Sequence, residues 1–170
     1  HIWAMTKDGI GIHNFYVPAG GDVPDSEENP KFAHKLQFID EMTSHFSANK
    51  PKAEILVGDL NIAPLANDVW SSKQLLRIIS HTPVETDGLK RLIADGGWHD
   101  AVRAYFGDDQ KLYSWWSYRA RDWAASDRGR RLDHIWVSHD LADRVAHAEI
   151  HCDWRGVDKP SDHVPISLTL

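Results

Sequence analysis

Six residues in four short stretches have the side chains for acid–base or metal chemistry. They are Tyr16 in NFYVPAGG (14–21), Asp59 and Asn61 in VGDLNIAP (57–64), Asp133 in RLDHIWVS (131–138), and Asp162 and His163 in PSDHVPI (160–166). Asp59 and Asn61 follow an apolar run, Ile55-Leu56-Val57. Residues i and i+2 of a strand share a face. A strand ending Asp-Leu-Asn therefore presents a carboxylate and an amide side by side at its C-terminal edge, where ligands bind in α/β folds. Taken alone, the stretch favours a turn, since Gly-Asp and Asn-x-x-Pro are common loop chemistry.

Asp162 and His163 are neighbours, which point apart in an extended chain and converge in a turn. An Asp there can ligate a hard cation, and a His can donate to a phosphoryl oxygen. Asp133 sits in an otherwise apolar strand and needs a partner, because an unpaired buried charge is expensive. One candidate is His163, whose tautomer and basicity a carboxylate would set. The other is an ion pair with Arg131 or His134. Tyr16 ends a strand before a Gly-rich loop and could donate to an anion or simply pack. Phosphodiester hydrolysis at neutral pH needs a group that activates water, a cation for developing charge, and donors to the phosphoryl oxygens. Acid, amide, imidazole and phenol together supply that set.

Residues 119–131 hold Arg119, Arg121, Arg128, Arg130 and Arg131 against Asp122 and Asp127. Trp115, Trp116, Trp123 and Trp136, half of the chain's eight tryptophans, lie in or beside this patch. Arginine suits phosphate, and tryptophan suits bases or a sugar pocket; a solvated charged face is the other reading. The net charge of −6 argues against binding a polyanion through the whole surface. A single cysteine, Cys152, excludes an internal disulfide and fits a reducing cytosol. No apolar run approaches the roughly 20 residues that cross a bilayer. A cytoplasmic protein without membrane attachment is the expectation.

The elements that must position these residues follow from periodicity and caps. Residues 9–18 read as a strand and 19–30 as a loop. Asn29 suits an N-cap and Pro30 the first helical position. Phe32, Leu36, Ile39, Met42 and Phe46 then recur at helical spacing, predicting a helix over 30–48. Residues 53–59 read as a buried strand, and 69–80 and 83–95 as helices, the second started by Thr82-Pro83 and ended by Gly96-Gly97. Strands are expected at 111–116 and 131–138, within 144–154, and at 164–170. A polar Arg-rich loop fills 117–130, and a helical turn lies near Leu141. Mixed strands and helices indicate one layered α/β domain over 1–170.

In this order, GDLNIAP (58–64), RLDHIWVS (131–138) and SDHVPI (161–166) resemble the endonuclease/exonuclease/phosphatase superfamily. NFYVPAGG (14–21) and SWWSYRARDWAASDRGRRLDH (114–134) narrow the resemblance to its exonuclease III branch of abasic-site DNA repair nucleases. The resemblance implies a four-layer α/β sandwich and a hydrolase dependent on Mg²⁺, with Mn²⁺ as a substitute. It implies a monomer that cleaves double-stranded DNA 5′ to abasic sites and trims or cleans 3′ ends. By position, Asp59 would orient or deprotonate the attacking water, and Asn61 would bond the nucleophile and the phosphate. Asp162 would lie at the metal with Asp59 and Asn61. His163 and Tyr16 would contact the scissile phosphate, with Asp133 orienting His163. Trp115 and Leu132 would line the pocket for the flipped sugar, and Arg119, Arg128 and Arg130 would bind substrate.

Three departures stand out. Ala19 replaces a polar amide that follows the Tyr-x-Pro unit in some relatives. Arg130 replaces an aromatic wedge two residues before the Leu-Asp step. The family's N-terminal "WN" strand and its "QE" pair, whose Glu is a principal metal ligand, have no counterpart here. The chain therefore resembles the C-terminal two-thirds of such an enzyme. Weak metal binding, little activity for this chain alone and an incomplete sheet with exposed edges are the expectations. Two other readings fit less of the sequence. One is a phosphoesterase of the superfamily acting on a lipid or nucleotide, which the Arg/Trp block disfavours. The other is an inactive piece that binds DNA without cutting it.

Overall fold

The computed structural model describes residues 1–120 and 122–170. In chain order its elements are β1 (Ile2–Met5), β2 (Gly11–Tyr16), α1 (Pro30–Ala48), β3 (Glu54–Asp59), α2 (Ser72–Leu75), α3 (Pro83–Gly96), β4 (Trp98–Asp100), α4 (Ala101–Phe106), α5 (Trp123–Ser126), β5 (Asp133–Ser138), β6 (His147–Ile150) and β7 (Ile166–Thr169). A five-stranded sheet runs in the order β1-β2-β3-β5-β4, and β6 pairs with β7 in a second, two-stranded sheet. β2 and β3 are parallel; the other pairs are antiparallel.

The helix over 30–48 forms as expected, with the Asn29 side chain accepting from the Lys31 amide and Pro30 in the first turn. Asn29 Nδ2 also donates to the Gly20 and Val23 carbonyls, at 2.8 and 2.6 Å, which ties the Gly-rich loop to the helix start. α1 and α3 pack side by side over one face of the large sheet. Ile39, Met42 and Phe46 of α1 and Leu89 and Leu92 of α3 meet Phe15, Leu56, Trp98 and Trp136 there. The opposite face carries Ile10, Ile55 and Val137, which pack on Ala101, Leu141, Leu168 and Leu170. A helical layer, the large sheet and the small sheet thus stack in that order, an α/β sandwich with three of the four layers that the resemblance implies. β1 and β4 are the edges of the large sheet. Ile2 and Met5 on β1 are 70% and 60% exposed, in keeping with the expected exposed apolar edge.

Several elements differ from the sequence reading. The helix expected over 69–80 shrinks to α2. Val69 forms a bridge with Arg130 and the Trp70 amide donates to the Gly129 carbonyl, so this backbone is claimed by the loop across from it. Residues 111–116 do not form a strand but make isolated bridges at Trp115, to Arg130 and to His163. One segment serving two loops cannot extend a ladder with either. The loop 117–130 contains the four-residue α5, capped by Asp122 accepting from the Ala125 amide. β1, β4 and α4 were not expected from sequence, being three to six residues long. No helix among the described residues is long and apolar enough to cross a membrane.

Candidate active site

Register brings three of the candidate residues into a row. Tyr16 pairs with Asp59 across β2 and β3, and Asp59 pairs with Asp133 across β3 and β5. The row lies where β2 and β3 end and β5 begins. Gly58 makes the close approach possible. It has φ +138, and a Cβ there would stand 1.9 Å from the Phe15 carbonyl oxygen, so only glycine fits immediately before Asp59.

Beyond β3 the chain turns at Asn61, whose φ of +52 is left-handed, a conformation Asn adopts more readily than most residues. The turn points its side chain back at the strand end. Asn61 donates from its backbone amide to Asp59 Oδ1 at 2.9 Å, and from Nδ2 to Asp59 Oδ2 at 3.0 Å and to the Val17 carbonyl at 2.9 Å. Turning the amide over would set its oxygen against two acceptors, so the assignment follows from the partners. Both Nδ2 hydrogens are used within the chain. Asn61 Oδ1 is what the side chain has left to offer, and it can accept from a water or face a cation but cannot donate to a phosphate.

His163 reaches the row from the loop before β7. Its Nδ1 is 2.8 Å from Asp133 Oδ2 and its Nε2 is 4.0 Å from Asp59 Oδ2. Asp133 therefore partners His163, not Arg131 or His134. Arg131 is fully buried in ion pairs with Asp68 and Asp100, which removes it from the surface arginine patch. Ser114 completes the carboxylate's surroundings: its hydroxyl donates to Asp133 Oδ2 at 2.6 Å and accepts from the Leu132 and Asp133 amides at 3.0 Å each. Asp162 lies next to this group, with Oδ2 accepting from Trp115 Nε1 at 2.9 Å.

Burial, then the neighbouring charge of Asp133, pushes the Asp59 carboxyl up to about 6; the Asn61 amide bond, His163 and Lys35 restrain the rise. For His163, burial works against the charged ring. The hydrogen bond to Asp133 and the charges of Asp133, Asp59 and Asp162 outweigh it, so its pKa rises above the ordinary histidine value. The site thus couples a carboxylate that titrates just below neutrality with an imidazole biased toward its cation, a pairing that suits general acid–base work.

Behind the turn lies a residue the sequence reading passed over. Lys35, on the buried stripe of α1, is fully buried and donates to the Asn61 carbonyl at 2.8 Å and the Ala19 carbonyl at 3.3 Å. Its ammonium pairs with Glu85 at 2.5 Å. A lysine three residues after Phe32 and four before Ile39 falls on the apolar face of its helix, and that was the available signal. Ser114 left none.

A cleft of about 610 Å³ opens from Asn61 and His163. Trp70, Trp115, Leu75, Ile78, Ile79 and Leu132 give it apolar walls, and Arg119, Arg128 and Arg130 line it as well. Arg128 lies over the Trp70 ring at 4.7 Å and Arg130 over the Trp115 ring at 5.3 Å. The structure therefore brings Trp115, Leu132 and the three arginines to one cleft with Asn61 and His163. Tyr16 is 66% exposed at the end of its strand. Arg121, part of the patch in the sequence, lies outside the described residues.

The pattern of the endonuclease/exonuclease/phosphatase family matches residues 14–163. The chain belongs to this family. It is 32% identical over 165 residues to exodeoxyribonuclease III of Haemophilus influenzae, covering 92% of this chain and 60% of that protein. An AP endonuclease structure from Archaeoglobus fulgidus superposes with a TM-score of 0.84 at 26% identity, over 93% of this chain and 60% of the other. A Neisseria 3′ phosphatase solved with a product DNA hairpin gives 0.87 at 26% identity, over 99% and 63%. The chain spans about 60% of the length of the relatives it matches. Within the family, its likeness is to nucleases of the exonuclease III and AP endonuclease type.

Proposed function

We propose that this chain carries most of the active site of a DNA repair nuclease of the exonuclease III type. Its substrates are double-stranded DNA with abasic sites or with 3′ ends bearing nucleotides or blocking groups. One observation supports the reading above others: His163, which closes the row Tyr16–Asp59–Asp133, also lines a cleft that combines tryptophan faces with guanidinium groups. Phosphate needs the arginines and a flipped sugar or unpaired base needs the aromatic walls. Relatives named as exodeoxyribonuclease, AP endonuclease and 3′ phosphatase point the same way.

In this mechanism Asp59 takes the proton of the attacking water, its raised pKa making it a stronger base than an ordinary aspartate. Asn61 Oδ1 orients that water. His163, held by Asp133, donates from Nε2 to a phosphoryl oxygen as charge builds there. The Tyr16 hydroxyl donates to the same group. Trp115 and Leu132 receive the sugar 3′ to the scissile bond, an extrusion that costs least where the base is already missing.

The donor set suits a hard divalent cation. Asp59 is the member shared with the cluster Asp59–Asp133–His163, whose ligand atoms lie within 4.8 Å of one another; Asn61 Oδ1 has no partner among the described residues, and the mutual repulsion of Asp59 and Asp133 would be relieved by positive charge. Mg²⁺, or Mn²⁺ in its place, would be held by Asp59, Asn61 and Asp162 and would stabilise negative charge on the phosphoryl group and the leaving oxygen. With Asp162 already engaged by Trp115 and no glutamate in the acidic cluster among the described residues, affinity for the cation is low and the 170-residue chain turns over slowly as a monomer. Incubation with abasic duplex, 3′-phosphate duplex and a phosphoinositide tests the reading. Cation-dependent cleavage of either DNA supports it; hydrolysis of the lipid alone would replace it with a lipid phosphoesterase.

A further inference from the structure

Away from the acid–imidazole row, the small sheet carries a second set of metal-ligating side chains. His147 and Glu149, two apart on β6, share its solvent face. His151 joins them directly after the strand, while Ala148 and Ile150 turn inward to pack. The Glu149 carboxylate stands between the two rings. Its Oε1 is 3.4 Å from His151 Nδ1 and its Oε2 is 3.9 Å from His147 Nε2. The outer nitrogen of each ring is held by a hydroxyl. His151 Nε2 is 3.0 Å from Ser167 Oγ on β7, and His147 Nδ1 is 3.0 Å from Tyr105 Oη on α4. When each outer N–H donates to its hydroxyl, each inner nitrogen keeps a lone pair turned to a carboxylate oxygen. Metal-binding histidines are oriented in this way.

Both inner separations exceed a hydrogen bond's roughly 2.7–3.2 Å. Ligands about 2.1 Å from a tetrahedral zinc ion stand about 3.4 Å apart, so Glu149 and His151 already span one edge of such a site. His147 is the third ligand within reach. Its side chain is 55% exposed and Tyr105 is 44% exposed, which leaves both free to swing toward the ion.

We propose that His147, Glu149 and His151 form a second cation site, for a divalent ion of the zinc class. Glu149 and His151 hold the ion, His147 closes on it, and water completes the tetrahedron. Two imidazoles and a carboxylate suit zinc, nickel or copper, whereas magnesium prefers oxygen ligands. The two sites of the chain therefore take different ions. Through Ser167 and Tyr105, the bound ion would brace β6 against β7 and α4. The proposal stands apart from the nuclease reading.

The test is a zinc titration of the 170-residue chain with Mg²⁺ in excess, followed by long-range proton–nitrogen NMR assigned to each imidazole. The affinity is read from His151 itself, so zinc held at His163 does not enter it. His151 Nδ1 and His147 Nε2 should shift together and saturate, while the outer nitrogens keep their protons. Ser167→Ala removes only the hydroxyl behind His151 and should weaken this binding by about tenfold. Glu149→Gln removes a ligand and should weaken it by more than about tenfold. Zinc-induced shifts confined to other imidazoles, or absent, overturn the proposal in the wild-type chain and need no variant. Coupled shifts that persist in Glu149→Gln at unchanged affinity overturn it too.

Discussion

Lys35→Met is the perturbation that most directly probes how the fold holds Asn61 in place. Methionine is unbranched like lysine and one atom shorter, so packing is largely kept and the loss is mainly electrostatic. Glu85 stays bonded to the Ser80 and Thr82 amides and the Thr82 hydroxyl, but its charge loses its only direct ion-pair partner among the described residues. The Asn61 and Ala19 carbonyls also lose their donor. Breaking a fully buried ion pair on one side costs about 3–5 kcal/mol. With a urea slope of about 2 kcal/mol/M, the unfolding midpoint should drop by about 1.5–2.5 M. Equilibrium urea denaturation followed by tryptophan fluorescence reads this directly. The double variant Lys35→Met/Glu85→Gln should recover more than half of the loss, because it removes the stranded charge. If Lys35→Met unfolds within about 1 kcal/mol of wild type, the pair does not anchor the turn and the reasoning fails.

Gly58→Ala should destabilise by more than about 3 kcal/mol in thermal unfolding, since its Cβ would collide with the Phe15 carbonyl oxygen in a conformation only glycine tolerates. His134 is fully buried, donates from Nε2 to the Ile62 carbonyl, and has its pKa pushed down to about 4 by burial and the charge of Arg131. Its NMR resonance should therefore titrate near pH 4. The stability it contributes as a neutral ring, about 3 kcal/mol, should be present above pH 6.5 and lost as pH falls toward 4. Asp59, with a raised pKa, acts oppositely between pH 6 and 4, so wild type must be compared with His134→Gln. A His134 resonance titrating near pH 6.5 would refute the burial argument. Arg119→Gln should weaken DNA binding and lower the slope of log affinity against log salt by about one, as loss of a single phosphate contact requires; an unchanged slope would remove Arg119 from the interface.

Much of the site was legible because its residues sit at strand ends, where alternation and turn chemistry leave clear marks. Asp59 and Asn61 were read as sharing an edge, and they do, but through a left-handed turn at Asn61 that no periodicity announces. The contest over Asp133 was settled by register: pairing with Asp59 aims it at His163, while Arg131 is turned to Asp68, a buried acid with no pattern around it. α1 and α3 were readable from caps and apolar spacing. The segments 69–80 and 111–116 were misread because their conformation is dictated by long-range bridges to residues 129–130 and 163, which local propensity does not encode. Ser114 and Lys35 act through contacts 16 to 50 residues away in sequence. Such partners become visible only once the chain is folded.

The central claim is that Asp59 works with His163 to hydrolyse DNA phosphodiesters. Single-turnover cleavage of an abasic duplex, with the chain in large excess and Mg²⁺ saturating, tests it most directly when wild type and Asp59→Asn are compared alongside their DNA affinities. A slow, Mg²⁺-dependent cleavage that falls by a factor of about 100 or more in Asp59→Asn, at unchanged affinity, is the expected result. Equal rates in the two proteins, or no product from wild type under these conditions, would contradict the account.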